Sequence, residues 1–117
     1  MPGLKTVNLK GDMPSLAEAR QRLSQALAAG RSERCVAVKL IHGYGSSGTG
    51  GVLREGIRAS LRKRRKKGEI SGYIFGENWS VFDEATRLLL ERAPELRRDT
   101  DLDRGNEGIS IAVFHPR

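Results

Sequence analysis

The feature that most constrains this chain is residues 35–54, CVAVKLIHGYGSSGTGGVLR. Residues 35–41 are apolar except for Lys39 and rich in β-branched side chains, the composition of a strand buried on both faces and therefore central in its sheet. His42 ends the run. Five glycines then fall within residues 43–51, at Gly43, Gly45, Gly48, Gly50 and Gly51, before Val52 and Leu53 resume an apolar pattern. The layout is strand, glycine turn, helix. Glycine permits positive φ and close backbone approach, and the first turn of a helix presents unpaired N–H groups at the positive end of its dipole. That combination suits an anion, phosphate above all.

The remaining elements arrange themselves around this unit. Residues 4–9 alternate imperfectly between apolar and polar and predict a first strand. Ser15 with Glu18 forms a capping box, and Leu16, Ala19, Leu23, Ala26 and Leu27 recur at helical spacing, so a first helix is expected over residues 15–29, stopping at Gly30. After the glycine turn, Leu53, Ile57 and Leu61 mark the buried stripe of a second helix over residues 50–67, ended by Gly68. Residues 70–76 predict a third strand, with Ile70 and Ile74 on one face and Tyr73 and Phe75 on the other. Ser80 with Asp83 signals another helix start, Phe82, Ala85, Leu88, Leu89 and Ala93 trace its apolar face, and Pro94 ends it. Residues 95–108 are charged and aperiodic and read as a mobile surface loop; residues 109–114 form the last strand. The sum is βαβαβαβ, a single α/β domain over residues 1–117 built as a two-layer sandwich, with helices packed on one mixed sheet. If the first two strands are parallel neighbours, the turn after Asn8 and the turn after Ile41 meet at one rim, where open α/β sheets bind ligands.

Two nucleotide motifs can be tested directly. Gly43, Gly45 and Gly48 spell G-x-G-x-x-G, which keeps a small dinucleotide-binding enzyme open as an alternative, yet no acidic residue closes the next strand to hold a ribose. A P-loop fails because Thr49 stands where lysine is needed after Gly48.

Residues 7–10 (VNLK), the stretch HGYGSSGTGGVLR and the ending ISIAVF together resemble the small MutS-related (Smr) domain family. The resemblance rests mainly on His42, Gly43, Tyr44, Gly45, Thr49, Gly50, Leu53 and Arg54. The first family motif is degenerate: Asn8 stands in place of an aspartate and Lys10 in place of a histidine. The resemblance implies a compact α/β fold that binds DNA or RNA and, in some members, nicks or cleaves it. Asparagine neither takes a proton nor holds a divalent cation well, so the binding reading survives these departures better than endonuclease activity; a divalent cation enters only if the chain is a nuclease.

Charge points the same way. The chain carries +7 formally, and Arg62, Lys63, Arg64, Arg65, Lys66 and Lys67 crowd the end of the second helix. Cations there complement the helix dipole, but six in a row exceed that need and suit a polyanion. The expected phosphate contacts are therefore Lys10, Gly43, Tyr44, Gly45, Thr49, Gly50, Arg54 and Arg58 together with this basic run. His42 is either a general acid or phosphate donor, or a structural histidine bonded to the turn. Tyr44 either stacks on a base or covers the turn. A basic module that meets an acidic protein is a further alternative. Cys35, the lone cysteine, reads as a small core residue. No export signal or membrane span is legible, which makes the cytoplasm the expected compartment. Oligomeric state is not legible.

Overall fold

The computed structural model describes residues 3–44 and 50–116. Strand β1 (Leu4–Asn8) leads through helix α1 (Leu16–Ser32) to β2 (Ala37–Ile41), and helix α2 (Gly50–Lys66) leads on to β3 (Gly72–Phe75). A 3₁₀ turn at Gly76–Asn78, helix α3 (Glu84–Arg92) and a second 3₁₀ turn at Pro94–Arg98 precede β4 (Ile109–Val113). Among the described residues the strands form one sheet in the order β1-β2-β4-β3, with β1 parallel to β2 and β4 antiparallel to both β2 and β3. The carboxyl ends of β1, β2 and β3 and the amino end of β4 therefore share one rim.

The alternation within β2 decides what lies on each face. Val38 and Leu40 join Ala19, Leu23 and Leu27 of α1 and Leu53, Ile57 and Leu61 of α2 in one buried cluster. Ala37 joins Trp79, Leu89, Leu90 and Leu96 in a second cluster with Ile109 and Ile111. The expected sandwich of sheet and helices holds for α1 and α2, and residues 79–98 add a thinner layer on the other face.

Local differences from expectation have physical causes. Helix α1 starts on the predicted capping box, with Ser15 and Glu18 bonded reciprocally at 3.0 and 3.1 Å. It does not stop at Gly30. A Cβ there would lie 2.6 Å from Val38 Cγ2, so this glycine permits close packing of helix on sheet rather than ending the helix. Ile70 precedes β3 and packs with Tyr73 and Phe75, not with Ile74. The cap of α3 is Asp83, which accepts from the Thr86 amide at 3.0 Å; Ser80 is not its cap, and Phe82 (87% exposed) and Leu88 face solvent while Thr86, Leu89 and Leu90 are buried. Residues 95–108 are not a mobile loop. Lys39, 5% exposed in the middle of β2, donates to Asp99 at 2.8 Å and Asp101 at 2.7 Å; Trp79 Nε1 also donates to Asp99, and Asn106 to Asp101. This buried ionic clasp fastens the segment to the sheet. Burial alone would lower the Lys39 pKa, but its bonds to Asp101 and Asp99 outweigh that and raise it, while Lys39 holds Asp101 below the usual carboxylate range.

Candidate nucleic-acid interface

The two turns expected to meet do so. Asn8 pairs with Ile41, and the Leu9 amide continues the ladder to the Ile41 carbonyl at 2.8 Å. Asn8 Oδ1 accepts from the Lys10 amide at 2.9 Å and closes the strand end, a role in which it caps backbone rather than moves protons. Arg22 of α1 donates to the Leu9 and Gly11 carbonyls at 3.2 and 2.6 Å and so holds the turn from beneath. The Lys10 stem lies across Gly43, with Cδ 3.3 Å from where a Cβ would stand. Gly43 adopts φ +86°, and the Gly108 carbonyl accepts from both the His42 and the Gly43 amides at 3.0 Å. The clasp on residues 99–106 thus reaches the glycine turn through the start of β4. Tyr44, 55% exposed, packs its ring against Gly108 and leaves aromatic surface to solvent.

His42 is 1% exposed. A carbonyl only accepts, so His42 Nδ1 carries the proton that goes to Gly43 O at 3.0 Å, and the neutral ring accepts at Nε2 from the Ser110 hydroxyl at 2.8 Å. Both ring nitrogens are engaged within the fold. Burial, and then the neighbouring Arg58 and Arg54 guanidiniums, lower its pKa although the bond to Gly43 opposes them.

Of the expected cations at this rim, Arg58 is 8% exposed, donates through both Nη atoms to Glu77 at 2.9 and 2.6 Å, and lies 4.4 Å over the Phe75 ring. It is spent on the fold and does not offer its fork to a phosphate. Glu77 remains ionised because that pairing outweighs its partial burial. Arg54 lies 3.5 Å from both Glu55 and Glu107, distances that leave it loosely held. Lys10 makes no ion pair among the described residues. Gly50 opens α2; Gly45 and Thr49 lie outside the described residues.

The basic run is elsewhere. At 1.5 Å per residue, Lys63 to Lys66 stand about 14 to 18 Å along α2 from Arg54, at the opposite end of the helix from the glycine turn. The expected phosphate contacts therefore fall into two groups, one at the rim and one at the far end of α2. Within the run, Arg62 packs over Phe75, Arg64 bonds Glu69 and Ser24, and Lys63, Arg65, Lys66 and Lys67 are exposed.

Ser110, Glu77, Arg22 and Gly108 escaped the sequence reading. Only Ser110 had left a mark, as the polar residue inside the apolar ISIAVF strand.

Fold and rim together define a mixed α/β domain whose central strand ends in a histidine-anchored glycine turn beside the turn of a parallel neighbour. Residues 8–78 match the family model of the Smr domain, and the chain belongs to that family. Among solved structures it is similar to the Smr domain of Thermus thermophilus MutS2, with 22% identity and a TM-score of 0.59 over 96% of this chain and 99% of that one. That likeness shows the fold. None of the curated proteins compared matches. No helix among the described residues is long and apolar enough to cross a membrane, nor does any group of three or more His, Cys, Asp or Glu converge among them as for a metal ion.

Proposed function

We propose that this chain binds DNA or RNA through the phosphate backbone, at the rim formed by Lys10, Gly43, Tyr44 and Arg54 and along the exposed face of α2 toward Lys67. The observation that carries the reading is the meeting of the Lys10 and Gly43 turns, which sets Lys10, a cation with no ion pair among the described residues, over half-buried Gly43 and near the exposed ring of Tyr44. Lys10 and Arg54 would hold phosphates, and Tyr44 offers a stacking surface to an unpaired base. Gly45, Thr49 and Gly50 are further backbone contacts in this proposal. His42 serves as the post of the turn: it is neutral, buried and bonded at both nitrogens, so its part is positioning rather than proton transfer to a substrate. Strand cleavage is accordingly no part of the reading, and supercoiled plasmid and structured RNA should survive incubation with the protein, with or without divalent cation.

Fluorescence anisotropy against salt tests the binding. The logarithm of affinity should fall linearly with the logarithm of salt, at about 0.9 per phosphate neutralised on a duplex. Lys10→Ala with Arg54→Ala should weaken binding and make that slope shallower by about one to two. Affinity independent of salt would remove the reading.

A further inference from the structure

The crossing of α1 and α2 leaves a cleft of about 250 Å³ at the basic end of α2, lined in part by Arg20 and Ser24 of α1 and by Ser60, Lys63, Arg64 and Lys67 of the second helix and its exit. Its polar groups are arranged before any ligand arrives. Ser60 donates its hydroxyl proton to the Gly56 carbonyl at 3.0 Å and accepts from Arg20 Nε at 3.2 Å. Ser24 does the same in the opposite sense, donating to the Arg20 carbonyl at 3.2 Å and accepting from Arg64 Nη2 at 2.7 Å. Each arginine is thus tethered across the helix crossing by a serine on the other helix. Arg20 uses one of its five donors in this way, and Lys63 and Lys67 make no ion pair among the described residues. Among the described residues, four cations converge on the cleft against one carboxylate, Glu69, which takes a bond from Arg64 Nη1 at 3.1 Å. Lys63 and Lys67, spaced i and i+4, repel each other on the helix, and four like charges held this close cost more than the helix dipole at that end returns. A bound anion offsets that cost.

We propose that this cleft is a second phosphate site, which takes a phosphodiester group of the same nucleic-acid strand or duplex that crosses the glycine rim. It makes Arg20, on α1 rather than on the helix that carries the basic run, a binding residue. The inference rests on the nucleic-acid reading above and adds a station about 15 to 20 Å from Arg54 along α2. Two stations at that spacing fix the direction of the backbone across the protein, which a single site leaves free.

The test has two arms. In the first, ¹⁵N-labelled protein is titrated with inorganic phosphate at constant ionic strength. The Ser24, Ser60 and Lys67 amides should shift and saturate in the wild type, and not in an Arg20→Ala/Lys67→Ala variant. In the second, duplex binding is followed against salt for wild type, for that variant and for a charge-matched control, Arg97→Ala/Arg98→Ala, on exposed cations of the opposite layer. The cleft variant should lose about tenfold in affinity at 0.1 M salt for each phosphate given up, with a shallower slope, while the control stays within twofold of wild type. If wild type binds and the cleft variant behaves like the control, the second site is overturned and the rim reading stands. If wild type does not bind nucleic acid, the reading of function falls, and the phosphate arm alone decides the cleft: saturable shifts keep it as an anion site, and their absence ends it.

Discussion

Replacing Lys39 by methionine keeps most of the side-chain volume and removes one charge from the middle of the sheet. The ammonium makes two charge-assisted bonds, at 2.7 and 2.8 Å, and its side chain is 6% exposed; those of Asp99 and Asp101 are 11% and 23% exposed. Without Lys39 two carboxylates face each other in a partly dry pocket. Removing one partner of a buried ion pair costs about 3 to 5 kcal/mol, because the other charge is left uncompensated. At about 2.1 cal/mol/K of unfolding entropy per residue, a chain of 117 residues should then melt roughly 12 to 20 °C lower. Thermal unfolding by circular dichroism measures this. The triple variant Lys39→Met/Asp99→Asn/Asp101→Asn should recover about half of the loss, since it removes the uncompensated charges and leaves Trp79 an acceptor. The Gly108 carbonyl at the end of the clasped segment holds the His42 and Gly43 amides, so the single variant should also weaken nucleic-acid binding while the protein remains folded. A single variant that melts within 3 °C of wild type, or a triple variant less stable than the single, would refute the reasoning.

The lowered pKa of His42 means that the unfolded chain, with a histidine pKa of about 6.5, binds the proton first as pH falls. Stability from this residue is therefore complete above about pH 6.5 and is lost on acidification. Urea unfolding between pH 7 and 5 should show a slope that His42→Gln reduces by up to one proton, about 1.4 kcal/mol per pH unit. The Gly76→Ala methyl would run into the Asn106 carbonyl, so that variant should lose at least about 2 kcal/mol in the same measurement; an unchanged denaturation midpoint would show that the segment yields freely.

What the sequence disclosed and what it hid divide along a physical line. Local chemistry was legible: the Ser15 and Glu18 capping box, the Leu53, Ile57 and Leu61 stripe, and the strand that turns at His42 all depend on neighbours a few residues away. The meeting of the Lys10 and Gly43 turns was legible too, because one parallel pairing implies it. Long-range pairing was not. Lys39 interrupts an apolar strand, a visible sign that something acidic must meet it, but its partners stand 60 and 62 residues later in a segment with no periodicity. Arg58 looked like its basic neighbours until Glu77 was placed opposite it. The phase of α3 was misjudged because Phe82 and Leu88 carry more hydrophobicity than Thr86, yet Thr86 is the residue turned inward, bonded to the Asn78 carbonyl.

The central claim is that one rim of the sheet and one face of α2 receive a phosphate backbone. Amide chemical-shift mapping with unlabelled duplex added to ¹⁵N-labelled protein tests it most directly. The account predicts that perturbations gather at Lys10, Gly11, Gly43, Tyr44 and Arg54 and continue along α2 to Lys67, while α3 from Glu84 to Arg92 stays silent. Shifts confined to α3 and the Pro94–Arg98 turn, with Lys10 and Gly43 unmoved, would contradict it.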